Sequence, residues 1–188
     1  TYSNREALPL LGPLVGKDTA VLPLQNGVDA ADEVAAVLGR APVLAGTTYI
    51  ASTLVEPGVV EYVGRFRLIA FGEAFGERVV SPRVARIRHA LAGAGIDVEA
   101  AADSRVPIWE KFIYLAPLAG LTAAARLPIG PLWAQPAFRE AIDLAMAEVE
   151  SLARREGVPV APDVRAQKGR YLEASHPAMR SSMMVDIT

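Results

Sequence analysis

The 188-residue chain has no cysteine, which excludes a disulfide framework and any thiolate metal site. Its two histidines, His89 and His176, lie far apart and without ligand spacing, so no metal is expected. Neither sign of charge is in excess. A formal net charge of −2 with the signs interspersed leaves no basic stripe, so long-range attraction to nucleic-acid phosphates or anionic lipid has no source. The longest apolar run, residues 112–121, falls well short of a membrane span. The opening Thr1-Tyr2-Ser3-Asn4-Arg5-Glu6 is polar and lacks the apolar core of a signal peptide. These absences point to a soluble protein in the reducing cytoplasm with a small-molecule partner, no nucleic acid and no membrane.

What is present is material for a folded protein. Hydrophobic residues make up 52% of the chain, beside 15 glycines and 14 prolines, a globular rather than a disordered composition that suffices for one large domain or two small ones. "NREALPLLGPLV" spaces Leu8, Leu11 and Leu14 as a short helix broken by Gly12-Pro13. Residues 20–24 of "TAVLPLQNG" read as a buried strand ending in an Asn26-Gly27 turn. Asp29 is placed to cap a helix through "AADEVAAVLG", with Gly39 as its stop. Helix, strand and helix in succession imply an α/β layer with parallel strands. "APVLAGTTYIAS" is the next strand. After a turn at Pro57-Gly58, "GVVEYVG" and "FRLIAFGE" read as a hairpin across Gly64-Arg65 that adds to the sheet. Residues 81–94 form an amphipathic helix ending at Gly95, and "IDVEAA" makes one more short strand.

Beyond Asp103 strand-like alternation ceases and three helical stretches are expected. The first starts near Ser104, with Pro107 in its opening turn and a kink at Pro117. The second, "PAFREAIDLAMAEVESLARREG", sets Phe138, Ile142, Ala145, Met146, Val149 and Leu152 on one stripe, and the third starts at Asp163. A boundary near residue 102 therefore separates an α/β part, 1–102, from an all-helical part, 103–188. Because the chain starts at Thr1 and stops at "SSMMVDIT" without tail composition, a fragment of a longer protein is expected.

Lysine is scarce, with only Lys17, Lys111 and Lys168, and Lys111 sits in the apolar "WEKFIYLAPLAGLTAAA". An unpaired ammonium on a buried face costs several kcal/mol, so it needs a partner or a function. One reading is a snorkelling lysine paired with Glu110; the other is a cation facing an enclosed pocket, where it could give a proton to a carbonyl oxygen becoming an alkoxide. Asn26 ends a strand where open α/β sheets take ligands, although Asn26-Gly27 also serves as a plain turn. Ser181 and Ser182 read as a helix cap, His176 as a loop residue and His89 as solvated. "GEAFGE" lacks phosphate-loop spacing and is given no cofactor role.

Taken together, "LQNG" at 24–27, the "PGVV" and "GE" elements, "WEK" at 109–111 and "SSMMVD" at 181–186 make a fairly specific signature that resembles the ketopantoate reductase (2-dehydropantoate 2-reductase) family over nearly the whole chain. The resemblance implies an α/β fold: the C-terminal part of a Rossmann-type domain followed by a helical substrate and dimerisation domain, with a homodimer as the assembly it allows. It implies reduction of a 2-oxo acid such as 2-dehydropantoate by NADPH, in the pantothenate pathway. By the same resemblance Lys111 is the general acid, Asn26 lies near nicotinamide and substrate, and Ser182 binds the substrate. Leu115 and Ala119 fall where pantoate-forming members carry substrate-holding asparagines. The family's opening G-x-G-x-x-G segment is absent, and a glutamate it places after the serine would fall beyond Thr188. Two alkyl groups in place of two amides favour a less polar 2-oxo acid or ketone, or a noncatalytic ligand-binding relative.

Overall fold

A computed structural model describes residues 3–50, 52–62 and 67–187. They fall into two compact units, 1–108 and 109–188. The first unit is α/β and the second is helical, the architecture expected from the sequence.

In the first unit α1 (Asn4–Leu11) runs into a 3-10 turn at Gly12–Leu14, and α2 (Ala30–Leu38) follows. Asp29 occupies the residue before α2, but its side chain makes no capping bond. Its carbonyl accepts from the Glu33 N–H at 3.0 Å instead. Gly39, at φ 77°, ends the helix in a conformation that side chains resist. The segment expected as a strand at 20–24 makes only one parallel bridge, Val21 to Val43. Pro23 explains this: it has no N–H to extend the ladder.

Strands β1 (Leu44–Tyr49), β4 (Leu68–Glu73) and β5 (Asp97–Ala100) form one sheet in the order β1-β4-β5, while β2 (Ser52–Glu56) and β3 (Val59–Tyr62) pair separately. Two expectations are corrected here. The hairpin closes at Pro57-Gly58 and joins β2 to β3 as a sheet of its own; Gly64-Arg65 lies outside the described residues. Nor are the strands all parallel. β1 runs antiparallel to β4, from Leu44 opposite Glu73 to Tyr49 opposite Leu68, and only β4 and β5 are parallel. The β2–β3 excursion returns the chain against β1, whereas β4 and β5 are linked by the crossover helix α3 (Pro82–Gly93), the connection that parallel neighbours require.

Leu44, Phe71 and Val84, all fully buried, join β1, β4 and α3. Each such burial stabilises by about 1.5–3 kcal/mol. Ser81 caps α3 by accepting from the Val84 N–H at 3.3 Å, and its hydroxyl donates to Glu73. Arg83 holds the same carboxylate through Nε at 2.8 Å and Nη2 at 2.5 Å. These bonds, Arg83 first, keep the Glu73 carboxyl below its usual range. The "GE" pair at 72–73 is thus a structural clasp. A Cβ on Gly72 would lie 2.2 Å from the Ala101 carbonyl oxygen.

In the second unit five helices are described rather than three: α4 (Arg105–Ala125, which begins before the unit boundary), α5 (Ile129–Trp133), α6 (Pro136–Arg155), α7 (Val164–Glu173) and α8 (Ser182–Ile187). Ile142 and Met146 of the expected α6 stripe are buried, but Leu152 is exposed and Ala153 is buried in its stead.

Gly72→Ala should therefore lower stability by about 1–3 kcal/mol, because backbone must move to admit the methyl group. Gly93→Ala, in a helix with open space around it, should instead raise stability by about 0.4–1 kcal/mol. Urea unfolding midpoints decide; equal midpoints for the two variants would contradict the packing described.

Candidate active site

Helix α4 is fixed at its start by polar contacts. The Asp103 carboxylate accepts from the Arg105 N–H at 3.1 Å and pairs with its guanidinium at 2.7 Å, while Ser104 Oγ donates to the Glu73 carbonyl at 2.8 Å. Pro107 falls in the opening turn, where no N–H is needed. The helix continues through Pro117 and stops at Arg126, which takes φ 53° ahead of Leu127-Pro128.

The sequence leaves α4 few polar positions, and the fold buries Ile113, Tyr114, Pro117, Leu118, Thr122 and Ala123. Lys111 is half-buried among them. Loss of water around its ammonium moves the pKa down from the usual 10.5 to about 8. Leu115 and Ala119, four and eight residues on, share its face and are also half-buried.

Glu110, the partner a snorkelling lysine would take, is engaged elsewhere: its Oε1 accepts from the Ala161 N–H at 3.1 Å. It also acts on Lys168, whose pKa burial lowers and the Glu110 charge pulls part of the way back. Lys168 Nζ lies 5.8 Å from the Tyr114 ring centre, and Tyr114 meets Tyr171 edge-on at 5.1 Å. That side of α4 is therefore committed to α7 and the loop before it.

Ser181 and Ser182 part company. Ser181 is buried, caps α8 by accepting from the Met184 N–H at 3.1 Å, and lies 2.7 Å from Thr122 Oγ1 of α4. Ser182 is the first residue of α8 and is exposed. Asn26 is exposed in the first unit, in the turn before α2, with Gly27 at φ 106°. The structure thus brings Lys111, Leu115 and Ala119 together on one helix face, ties Ser182 to the far end of that helix through Ser181, and sets Asn26 in the other unit. His89 and His176 are exposed.

Thr122 is the residue sequence reasoning passed over. Its signal was the one aliphatic hydroxyl in residues 105–125, eleven residues after Lys111 and so on the same helical face. Among the described residues no group of three or more His, Cys, Asp or Glu could hold a metal ion, and no helix is long and apolar enough to cross a membrane.

Residues 1–75 match the family model described as ketopantoate reductase PanE/ApbA, and residues 103–188 match its C-terminal counterpart. The chain belongs to the ketopantoate reductase family. It is 27% identical over 186 residues to the uncharacterized oxidoreductase YkpB of Bacillus subtilis, covering 99% of this chain and 61% of that protein. It is also 27% identical to the 2-dehydropantoate 2-reductase of Nostoc sp., covering 99% of this chain and 59% of that one. A crystal structure of 2-dehydropantoate 2-reductase from Geobacter metallireducens superposes with a TM-score of 0.90 at 26% identity, over 99% of this chain and 61% of that chain. The chain thus spans about six tenths of the length of these ketopantoate reductase relatives.

Lys111→Met should stabilise the fold at pH 7, because it removes a charge held out of water; a gain near 1 kcal/mol corresponds to about 2–4 °C in Tm for a chain of this size. Between pH 8 and 10.5 the unfolded wild type keeps a proton that the folded form has lost, so wild-type stability rises with pH there and the advantage of the variant shrinks. Melting curves at pH 7 and 10 test both signs, and a lower Tm for Lys111→Met at pH 7 would contradict them.

Proposed function

We propose that this chain is part of an NADPH-dependent carbonyl reductase that converts a 2-oxo acid, 2-dehydropantoate or a less polar relative, to the 2-hydroxy acid, with Lys111 as general acid. The observation that carries this reading is the half-buried Lys111, its pKa held at about 8, on a helix within the stretch matched by the family's C-terminal model. The names of the Nostoc and Geobacter relatives support the reaction class. In this reading residues 1–102 serve the dinucleotide and residues 103–188 serve the substrate and dimerisation, in a cytoplasmic enzyme of the pantothenate pathway.

The residues present fit one end of such a cofactor. Asn26 is exposed where an extended segment paired with Val43 gives way to α2, the kind of position where open α/β sheets take ligands. No G-x-G-x-x-G run occurs in the sequence, so Asn26 would hold the nicotinamide end and the pyrophosphate finds no glycine-rich cradle among these residues. Bound NADPH supplies a hydride to the carbonyl carbon.

The chain's own contribution is the proton and the surroundings of the oxygen. A carbonyl that gains a hydride becomes an alkoxide, and an ammonium with little water around it stabilises that charge and then neutralises it. A pKa of about 8 suits a general acid, since the group is protonated at neutral pH and gives its proton up more readily than a solvated lysine. Ser182 binds the carboxylate or hydroxyl side of the substrate. Leu115 and Ala119 offer alkyl surface beside Lys111, which favours a 2-oxo acid or ketone with an apolar substituent over a hydroxylated one.

In a full-length enzyme carrying this sequence, Lys111→Ala should cut kcat by about 10²- to 10⁴-fold with NADPH affinity nearly unchanged. Unchanged turnover would remove Lys111 from the mechanism. Wild-type kcat/KM for reduction should fall as pH rises through about 8, since the acid loses its proton there. Across a panel of 2-oxo acids and ketones, Leu115→Asn combined with Ala119→Asn should move the preference toward 2-dehydropantoate by about tenfold or more. If the wild type oxidised NADPH with no member of the panel, the noncatalytic relative would be the better reading.

A further inference from the structure

The contact between α4 and the start of α8 is polar where an apolar one would have sufficed. Thr122 is 0% exposed and Ser181 6%, and their hydroxyl oxygens are 2.7 Å apart. The proton directions follow from the partners. Thr122 has one hydroxyl proton and gives it to the carbonyl of Leu118, at 2.6 Å, in its own helix. Ser181 must then donate to Thr122, while its oxygen accepts from the Met184 N–H. The result is a directed chain, Met184 N–H to Ser181 to Thr122 to the Leu118 carbonyl, with each hydroxyl proton placed. Capping α8 needs only the bond to Met184. The bond to Thr122 does something else, since valine would fill that volume without bringing a polar atom that must be satisfied.

Its position suggests what that is. Eleven residues are three turns of helix, so Thr122 returns to within about 20° of the Lys111 direction, roughly 16 Å along the axis, with Leu115 and Ala119 between them. The segment that leads to Ser181 is anchored a second time. Gly130 N–H donates to the Pro177 carbonyl at 2.8 Å and Ile129 N–H to the Met179 carbonyl at 3.0 Å. A Cβ on Gly130 would lie 2.7 Å from that Pro177 oxygen. Ser182, exposed, is the next residue after the buried pair.

We infer that Thr122 and Ser181 are positioning residues: their hydroxyl pair fixes Ser182 at the far end of the Lys111–Leu115–Ala119 face, where it meets the substrate. The inference rests on the reductase reading above. Neither hydroxyl touches substrate; both act through Ser182.

The test uses the full-length enzyme with Thr122→Val, Thr122→Ser, Ser181→Ala and Ser182→Ala, assayed with the best 2-oxo acid of the panel. Thr122→Val and Ser181→Ala should raise its KM about tenfold while kcat and the KM for NADPH change less than about twofold, and Thr122→Ser should restore the wild-type KM. In a Ser182→Ala background Thr122→Val should add nothing. An unchanged KM in folded Thr122→Val, no rescue by serine, or additive effects with Ser182→Ala would each overturn the inference. If Thr122→Val failed to fold, Ser181→Ala would decide by the same comparison. Amide exchange of Met184 reads the pair without any substrate. Faster exchange in Thr122→Val supports the linkage and equal exchange overturns it, even if the wild type reduced no 2-oxo acid and the functional reading alone fell.

Discussion

The constraint on which the second unit depends is the burial of α4, whose apolar side chains cover most of its circumference. A helix of this kind is stable only when other elements take it out of water. The helical unit buries Ile113, Tyr114, Leu118 and Ala123 and leaves Lys111, Leu115 and Ala119 half-covered. An ammonium in that position loses hydration with every neighbour that packs around it. Its lowered pKa is therefore a consequence of the same burial that holds the helix in place. Under the proposed role of Lys111, stability and chemistry are opposed at this residue, as they often are where a charge is kept out of water for use.

The polar groups of α4 divide between its two sides. Glu110 is held by the Ala161 N–H, and Tyr114 meets Lys168 and Tyr171, which settles that side against α7 and its preceding loop. The loop is held from its other flank by Arg154, which donates to the Ala161 carbonyl at 3.1 Å and pairs with Glu150 at 2.6 Å. Thr122, three turns from Lys111 and on its face of the helix, holds the start of α8. In the first unit Glu73 plays a comparable part, collecting Ser81 and Arg83 on its carboxylate and Ser104 on its carbonyl. Charged residues serve these clasps as structure, which is why "GE" stood out in the sequence without carrying chemistry.

Periodic elements were legible in the sequence because their signals are local. Residues 81–94 read as an amphipathic helix stopped by Gly95, and Gly95 takes φ 80° just past its end; the Ser81 cap and the first-turn Pro82 are equally local signals that were passed over. Lys111 was legible through scarcity, a lone cation in an apolar run. Strand pairing was not. Pro57-Gly58 and Gly64-Arg65 are both acceptable turns, and what decides for the first is the return of β4 to β1, a pairing between residues more than eighteen positions apart that no local pattern encodes. The strand at 20–24 shrank to one bridge because a single missing N–H outweighed an apolar run. Thr122 and Ser181 escaped for a related reason: 59 positions separate them, and each alone looks like an ordinary hydroxyl.

Membership of the ketopantoate reductase family accounts for the fold, while Leu115 and Ala119 set alkyl groups on the face of the lysine. Everything proposed about the chemistry returns to how much water the Lys111 ammonium has lost. An NMR titration of the lysine side-chain carbons, simplified by there being only three lysines, reads that directly. The account predicts a midpoint for Lys111 near 8; a midpoint at the usual 10.5 would contradict it.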